Sequence, residues 1–273
     1  MELVHFVDWS RVPEAEYPQR FEALKAGGVD SIVAHDSWGL PDDDGMERLP
    51  RITALAAAVG LRIPAAHGLW RRKFDLGWCE EEGLAAHRKY IAGLGDLGVR
   101  SYTVHPGFGT APVPETFFDR MRCNTKILTG FCEDAGIVLA VENGMEKVAD
   151  FERTLAVVEE IHSPYCGLCC DVGHAHCYRH DLEGVMDAMA PWLVTMHLHD
   201  NDGTRDAHDL PGNGTLDWAL IGRKLAEMPR LLHVETEVVT GWDAALWLAC
   251  RNALHSPQVI ARKHLRSYDK FNQ

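Results

Sequence analysis

Residues 193–216 read LVTMHLHDNDGTRDAHDLPGNGTL, an apolar and β-branched run that opens into a loop dense with imidazoles and carboxylates. Val194, Met196 and Leu198 alternate with Thr195 and His197, the period-two pattern of a strand with two different faces. The run delivers His197 and His199 to its end, and the loop adds Asp200, Asp202, Asp206 and His208. Imidazole and carboxylate groups mixed at this density are transition-metal ligand chemistry. A solvated polar loop after a strand is the plainer reading, and the rest of the chain decides between the two.

The same sequence of apolar run, polar loop and helical stripe recurs along the chain. Strands are expected at 3–7, 31–34, 61–66, 101–104, 137–141, 167–170, 193–198 and 231–234. Between them, apolar residues fall at helical spacing, as in Leu49, Ile52, Leu55, Val59 and in Phe151, Leu155, Val158, Ile161. Gly60, Gly98 and Gly136 each close a helix ahead of the next strand. Strands that alternate with helices pair in parallel. Eight such units in 273 residues predict a closed (β/α)8 TIM barrel rather than an open doubly wound sheet. No glycine-rich phosphate loop follows the first strand, which also argues against the open sheet. Without a linker or low-complexity stretch, residues 1–273 are expected to form a single domain. The basic segment 261–270 reads as a docking helix or a tail.

Forty acidic residues against 27 basic ones give a net charge of −13, which repels nucleic acid phosphates and anionic membrane surfaces. No 18-residue apolar run is long enough for a membrane span and no signal core follows the N-terminus, so a cytoplasmic protein is expected. The eight cysteines sit largely in apolar runs and read as small buried hydrophobes. Cys166 and Cys169 have CxxC spacing, but residues three apart on a strand face opposite ways, which excludes a zinc ribbon.

Ligand-type residues end six of the expected strands: His67, His105, Glu142, Asp171 (with His174 just beyond), His197 and Glu235. All six lie at C-terminal strand ends, the face on which (β/α)8 enzymes build their sites. Strand parity supports this placement. If those side chains point into the barrel, so do Ala65, Thr103, Ala140, Cys169, Thr195 and His233, two residues earlier, and five of these six are small. The residues between, Ala66, Val104, Val141, Cys170, Met196 and Val234, then face the helices, and all are apolar. His233 reads either as a support beneath the site or as a satisfied core histidine. Trp9, Trp38 and Trp70 follow strands one to three, as walls for a sugar ring or as caps on the barrel.

His67, the HPG of 105–107, the EN of 142–143, the DVGH of 171–174, the HLHD of 197–200, the DAH of 206–208 and Glu235 together resemble the xylose isomerase-like barrel superfamily. Endonuclease IV and the ketose epimerases and isomerases are among its members. The resemblance runs from about strand three to strand eight and implies Glu142, Asp171, His197 and Glu235 as shared metal ligands. The endonuclease IV pattern implies more: His67, His105 and Glu142 at one zinc, Glu142, Asp171, His197 and Glu235 at a second, and His174, Asp206 and His208 at a third. All nine positions are filled here. The DNA-gripping loops of that family are not recognisable, and the segment after strand two, SWGLPDDDG, is acidic.

Four carboxylates, Glu142, Asp171, Asp206 and Glu235, make metal number a substrate question. One divalent ion leaves the cluster negative and suited to a neutral sugar; three make it positive and suited to a phosphate. The expected cofactor is a divalent transition metal, zinc or manganese, and the nine filled positions imply more than one ion, two or three. The leading function is a sugar or sugar phosphate isomerase or epimerase working through a metal-stabilised enediolate, with Glu142 and Glu235 exchanging the proton. A metal-dependent phosphoesterase of endonuclease IV type is the alternative, and a non-catalytic metal or sugar binding barrel the third. Trp38, Trp70, Arg71 and His199 are expected substrate contacts; Arg71, Arg72 and Lys73 read either as a hold for a sugar phosphate or, as charge runs more often are, as a solvated face, and His199 either as a substrate contact or as a support for the ligands. His176 and His180 are expected in loops.

Overall fold

A computed structural model describes residues 1–9, 12–41, 47–109, 111–144, 146–178, 181–238 and 244–255. His180, the segment 261–270 and residues 42–46, with the three aspartates of the acidic loop after strand two, lie outside the described residues. Eight parallel strands close on themselves in chain order: β1 Leu3–His5, β2 Ser31–Ala34, β3 Arg62–His67, β4 Ser101–Val104, β5 Val138–Glu142, β6 Cys166–Asp171, β7 Leu193–Leu198 and β8 Val234–Thr236. Helices follow them: α1 Tyr17–Ala26, α2 Arg48–Ala58, α3 Glu81–Gly95, α4 Glu115–Ala135, α5 Val148–Ile161, α6 Val172–Cys177, α7 Leu182–Met189, α8 Trp218–Leu225 and α9 Ala244–His255. The chain is a single (β/α)8 barrel. Among the described residues, no helix is long and apolar enough to cross a membrane.

Two strands, β1 and β8, depart from the expected bounds by more than one residue, and for physical reasons. β1 ends at His5 because the chain turns out of the ladder, with the Trp9 amide donating to the Val7 carbonyl at 2.9 Å. β8 begins at Val234 and not at Leu231, because the leucine pair 231–232 forms an apolar lead-in, where Leu232 N bonds Val194 O at 2.9 Å before the ladder proper starts. Gly60, Gly98 and Gly136 take φ values of 76°, 74° and 70°, the left-handed region in which a Cβ is costly, so each reverses the chain where a helix ends. His176 lies within α6 rather than in a loop, its Nε2 2.8 Å from Thr215 Oγ1.

The parity of the strands divides the core into two. Ala66, Val104, Val141, Cys170, Met196 and Val234 pack outward with Leu139, Leu168 and the apolar stripes of the helices in one large cluster. Each large aliphatic side chain withdrawn there contributes roughly 1.5–3 kcal/mol. Inside the barrel, Ala65 packs with Val4 and Val33, and Ala140 with Cys169 and Val194. Thr103, Thr195 and His233 complete that inner layer and are fully buried. Cys166 joins the outer cluster and Cys169 the inner one, so the CxxC pair does face opposite ways. Small side chains inside leave the mouth open to longer ones above. The ladders then set their level: Asp171 pairs with His197, and His197 with Glu235.

Candidate metal centre

The strands converge their terminal side chains on one cluster. His105 Nε2 lies 3.3 Å from Glu142 Oε2, and the His67 ring centroid lies 5.0 Å from that of His105. His197 Nδ1 is 3.5 Å from Glu142 Oε2, 3.9 Å from Asp171 Oδ2 and 3.1 Å from Glu237 Oε2, while its Nε2 is 3.6 Å from Glu235 Oε2. His174 Nε2 is 3.3 Å and His208 Nε2 3.0 Å from Asp206 Oδ2. Ligand atoms within 4.8 Å of one another form the groups His67, His105, Glu142; Glu142, Asp171, His197, Glu237; and His174, Asp206, His208. Two of the three expected groups thus have their ligand-type atoms within that distance, and around His197 the grouped residues include Glu237, while Glu235 lies 3.6 Å from the other ring nitrogen.

Local chemistry holds these rings in place. His67 Nδ1 donates to Gly68 O at 3.0 Å, His174 Nδ1 to Asn143 O at 2.9 Å and His208 Nδ1 to Glu237 O at 2.6 Å. A backbone acceptor on one nitrogen orients the other toward an ion. Asn143 clasps two strand ends, its Nδ2 donating to Asp171 O at 2.9 Å and its Oδ1 accepting from Asp171 N at 2.7 Å. Asp171 caps α6 by accepting from His174 N at 2.7 Å, and it receives His199 Nε2 at 3.0 Å. Gly173 is required beside it: a Cβ there would fall 1.9 Å from His199 Cε1.

The charges fit a cation. Burial pushes the Glu142 carboxyl up, but the charges of His197 and His105 and the close approach of the His105 and His174 rings, each at 3.3 Å, outweigh it, so it stays well below the usual carboxylate range. Asp171 is lowered in the same way, by His174 and His199 against burial. Burial pushes His174 and His197 down, yet neighbouring acidic groups, Asp171 for the first and Cys169 and Glu237 for the second, carry both well above the usual value. Protons thus stand in for positive charge. Even so, Glu142 Oε1 and Oε2, His197 Nδ1, Asp206 Oδ1 and Glu237 Oε2 are buried without a hydrogen bond. Orphaned ligand-type atoms facing one another are what a divalent ion would satisfy.

Not every expected residue reaches this cluster. Trp38 is 1% exposed and packs with Trp9, ring centroids 6.0 Å apart, inside the core, so both tryptophans cap the barrel rather than wall a ligand. His199 does touch the cluster, fully buried, stacked on His208 at 4.0 Å, bonded to Asp171 and with a ligand-type nitrogen within 4.8 Å of the ligand-type atoms of His208 and Glu237, but it has no exposed face for a substrate. Trp70 is 64% exposed, and Arg71 beside it holds φ at 137°. Arg72 lies over the Trp78 ring at 3.8 Å, and Lys73 pairs with Glu82 at 3.4 Å. Asp202 is spent on a turn, accepting from Thr204 N at 2.9 Å. Sequence reasoning missed Glu237, which its spacing of two from Glu235 could have flagged, and Asp75, which faces His105 from the loop after β3 at 4.0 Å. It also missed His35, held between Asp36 at 2.9 Å and Asp8 at 3.6 Å at the ends of the first two strands.

A closed barrel with ligand-type residues at the C-terminal ends of successive strands defines a class of metal-site barrels. The chain belongs to the xylose isomerase-like TIM barrel family, whose model matches residues 21–254. It is 31% identical over 158 residues to the uncharacterized protein y4fM of Sinorhizobium fredii, covering 55% of this chain and 50% of that protein. A "probable endonuclease 4" of Mesomycoplasma hyopneumoniae is 24% identical over 182 residues, 59% of this chain and 66% of that protein. The chain spans about half the length of the first of these relatives. Among solved structures, a D-tagatose 3-epimerase-like protein superposes with a TM-score of 0.72 at 17% identity, covering 99% of this chain and 100% of that one. At that identity the likeness is one of fold.

Proposed function

We propose that this chain is a metal-dependent isomerase or epimerase of a small sugar, sugar phosphate or related polyol. The observation that carries the reading is a pair of carboxylates, Glu142 and Glu235, set 3.5 Å and 3.6 Å from the two nitrogens of the His197 imidazole. Zinc or manganese suits the mixed donors, and such an ion supplies Lewis-acid stabilisation of oxyanion charge on a substrate. Glu235 accepts from Thr195 Oγ1 at 2.8 Å and contacts His233 Nε2 at 3.1 Å through Oε1, which fixes the carboxylate with Oε2 3.6 Å from His197 Nε2. Burial raises its pKa, but His197 and His233 more than reverse this, so it is ionised at neutral pH and able to take a proton from carbon. Glu142 works from the other side of His197 and returns the proton. In this reading Trp70 and Arg71, which follow β3, contact the substrate. Eight free cysteines suit a reducing, cytoplasmic setting.

The test is product formation across a panel of ketoses, aldoses and their phosphates in heavy water, with deuterium read at the carbon beside the carbonyl. Glu235→Gln keeps the shape and removes the base, so turnover should fall by about 10³-fold or more. A metal-replete Glu235→Gln protein that turns over at near wild-type rate ends this assignment.

One specific observation favours a second reading, a phosphoesterase of endonuclease IV type: the third group, His174, Asp206 and His208, is assembled. Two or more ions beside one another are suited to in-line attack on phosphorus. The net charge of −13 stands against a DNA substrate.

A further inference from the structure

In the loop after β3, residues 70–73 are exposed, while Leu69 and Phe74, which bound them, are buried. Both bounding residues are tied to one fully buried pair, His87 of α3 and Tyr102 of β4. The Leu69 amide donates to the Tyr102 hydroxyl at 3.3 Å, that hydroxyl lies 2.7 Å from His87 Nδ1, and His87 Nε2 lies 2.9 Å from Phe74 O. The two ends of this chain fix the direction of every bond in it. A carbonyl only accepts, so Nε2 carries the proton and donates to Phe74 O. Burial, against the bond to Phe74, pushes His87 from 6.5 down to about 4, so the ring is neutral and Nδ1 accepts from the Tyr102 hydroxyl. The phenol oxygen is then left to accept from Leu69. Between the two anchors Arg71 holds φ at 137°, where a residue with a side chain is strained. Arg72 is stacked on Trp78 and Lys73 paired with Glu82, whereas Trp70 stands 64% exposed.

We propose that His87 and Tyr102 are positioning residues: they clamp both ends of residues 70–73, hold Arg71 in its strained conformation and so preset Trp70 and Arg71 for the substrate. A strained residue in an exposed loop persists only where the structure around it is held. A loop held in advance loses little conformational freedom when a ligand arrives, which raises affinity without adding a contact. The chain also leaves β3 pressed against β4: Gly68 N donates to Thr103 O at 2.6 Å, and a Cβ on Gly68 would fall 2.4 Å from that oxygen. Tyr102 precedes Thr103 on β4 and packs outward in the cluster shared with the helices, so one side chain links the loop, the strand and α3. The contact of Trp70 and Arg71 with a substrate rests on the isomerase reading; the clamp does not.

The experiment is limited trypsin digestion of the native full chain. Mass spectrometry reads cleavage after Arg71, Arg72 or Lys73 against cleavage after Arg122 of α4 and Lys224 of α8, which reports unfolding of the whole barrel. Tyr102→Phe keeps the ring and removes the hydroxyl, so Leu69 N and His87 Nδ1 lose their partner. The ratio of loop to helix cleavage is expected to rise by at least about fivefold over wild type, and a smaller rise or none overturns the clamp. Should Tyr102→Phe not fold, His87→Phe removes both bonds of the imidazole and is read by the same ratio. Arg71→Gly accepts the positive φ without strain and should unfold about 2 °C above Arg71→Ala; an equal or lower midpoint overturns the strain at Arg71. On a substrate found in the sugar panel, Tyr102→Phe should raise KM by at least about fivefold with a smaller fall in kcat, and a fall in kcat alone overturns the presetting of the substrate contacts. Digestion needs no substrate, so a protein that turns over nothing in the panel refutes the isomerase reading and leaves the clamp to be decided by the cleavage ratio.

Discussion

The indole Nε1 of Trp218 donates to Asp200 Oδ2 at 2.9 Å, tying the first residue of α8 to the loop that leaves β7. Asp200 also accepts from Gly212 N at 2.7 Å, Asn201 N at 2.9 Å and Leu216 N at 3.2 Å. A carboxylate so heavily engaged organises the loop and has little left for an ion. Because that loop carries Asp206 and His208, Asp200→Ala should do two things. It should destabilise the fold by about 3 kcal/mol through orphaned buried donors, and it should lower metal content below that of wild type. Urea denaturation and elemental analysis check the two parts, and an Asp200→Ala protein with wild-type stability and metal refutes this role.

Much of this was legible because barrels repeat. An apolar run that ends in a ligand-type residue marks both the strand and the face it serves, and this signal placed His67, His105, Glu142, Asp171 and His197. The parity test then sorted inner from outer residues, since a strand has only two faces. What lay beyond the sequence depended on loop geometry. Asp200, Asp202 and Asp206 occupy one loop and look alike on paper, but they take three different partners: a set of amides and an indole, a turn, and two imidazoles. Glu237 was hidden because the apolar signal stops at Val234, while the strand's alternation continues past it. Trp38 could not be told from a ligand wall because the short 3-10 helix at Asp36–Gly39 turns its ring inward.

Metal uptake should depend on pH in a defined direction. Burial pushes His208 down, but its hydrogen bond to Asp206 and the charges of Glu237 and Asp206 raise it to about 9. The free protein therefore holds a proton that an ion must displace. Affinity at the His174, Asp206, His208 group should fall as pH drops below about 9, by about tenfold per unit for each proton displaced. In the metal-free fold the sign is opposite: the His208–Asp206 pair stabilises below the ordinary value of 6.5 and loses that contribution as pH rises through about 9. Calorimetric zinc titrations at pH 6, 7.5 and 9 check the first statement, and His208→Ala should flatten the profile and remove up to one equivalent. A profile independent of pH in wild type refutes it.

Abasic duplex DNA supplies the test between the two functional readings. With the charge at −13, binding at physiological salt should be no tighter than roughly 10⁻⁶ M, the range of non-specific contacts. Nanomolar affinity, with nicking abolished by Glu142→Ala, would promote the phosphoesterase over the isomerase.

Glu146 gives a prediction about stability alone. It lies four residues beyond Glu142, almost fully buried, with Oε2 accepting from Gly144 N at 2.6 Å. Burial pushes its carboxyl from 4.5 up to about 7. The unfolded chain ionises the group freely above pH 4.5 while the folded chain holds the proton to about pH 7, so wild type loses stability across that window and levels off above it. Glu146→Gln keeps the shape and the acceptor for Gly144 but carries no charge at any pH. In chelator-treated protein the variant should match wild type near pH 4.5 and exceed it by about 3 kcal/mol at pH 8, the difference growing steadily between. Urea unfolding across that range measures it. A constant offset at every pH would assign the effect to shape, and a variant less stable than wild type at pH 8 would mean that the ionised carboxylate itself supports the fold.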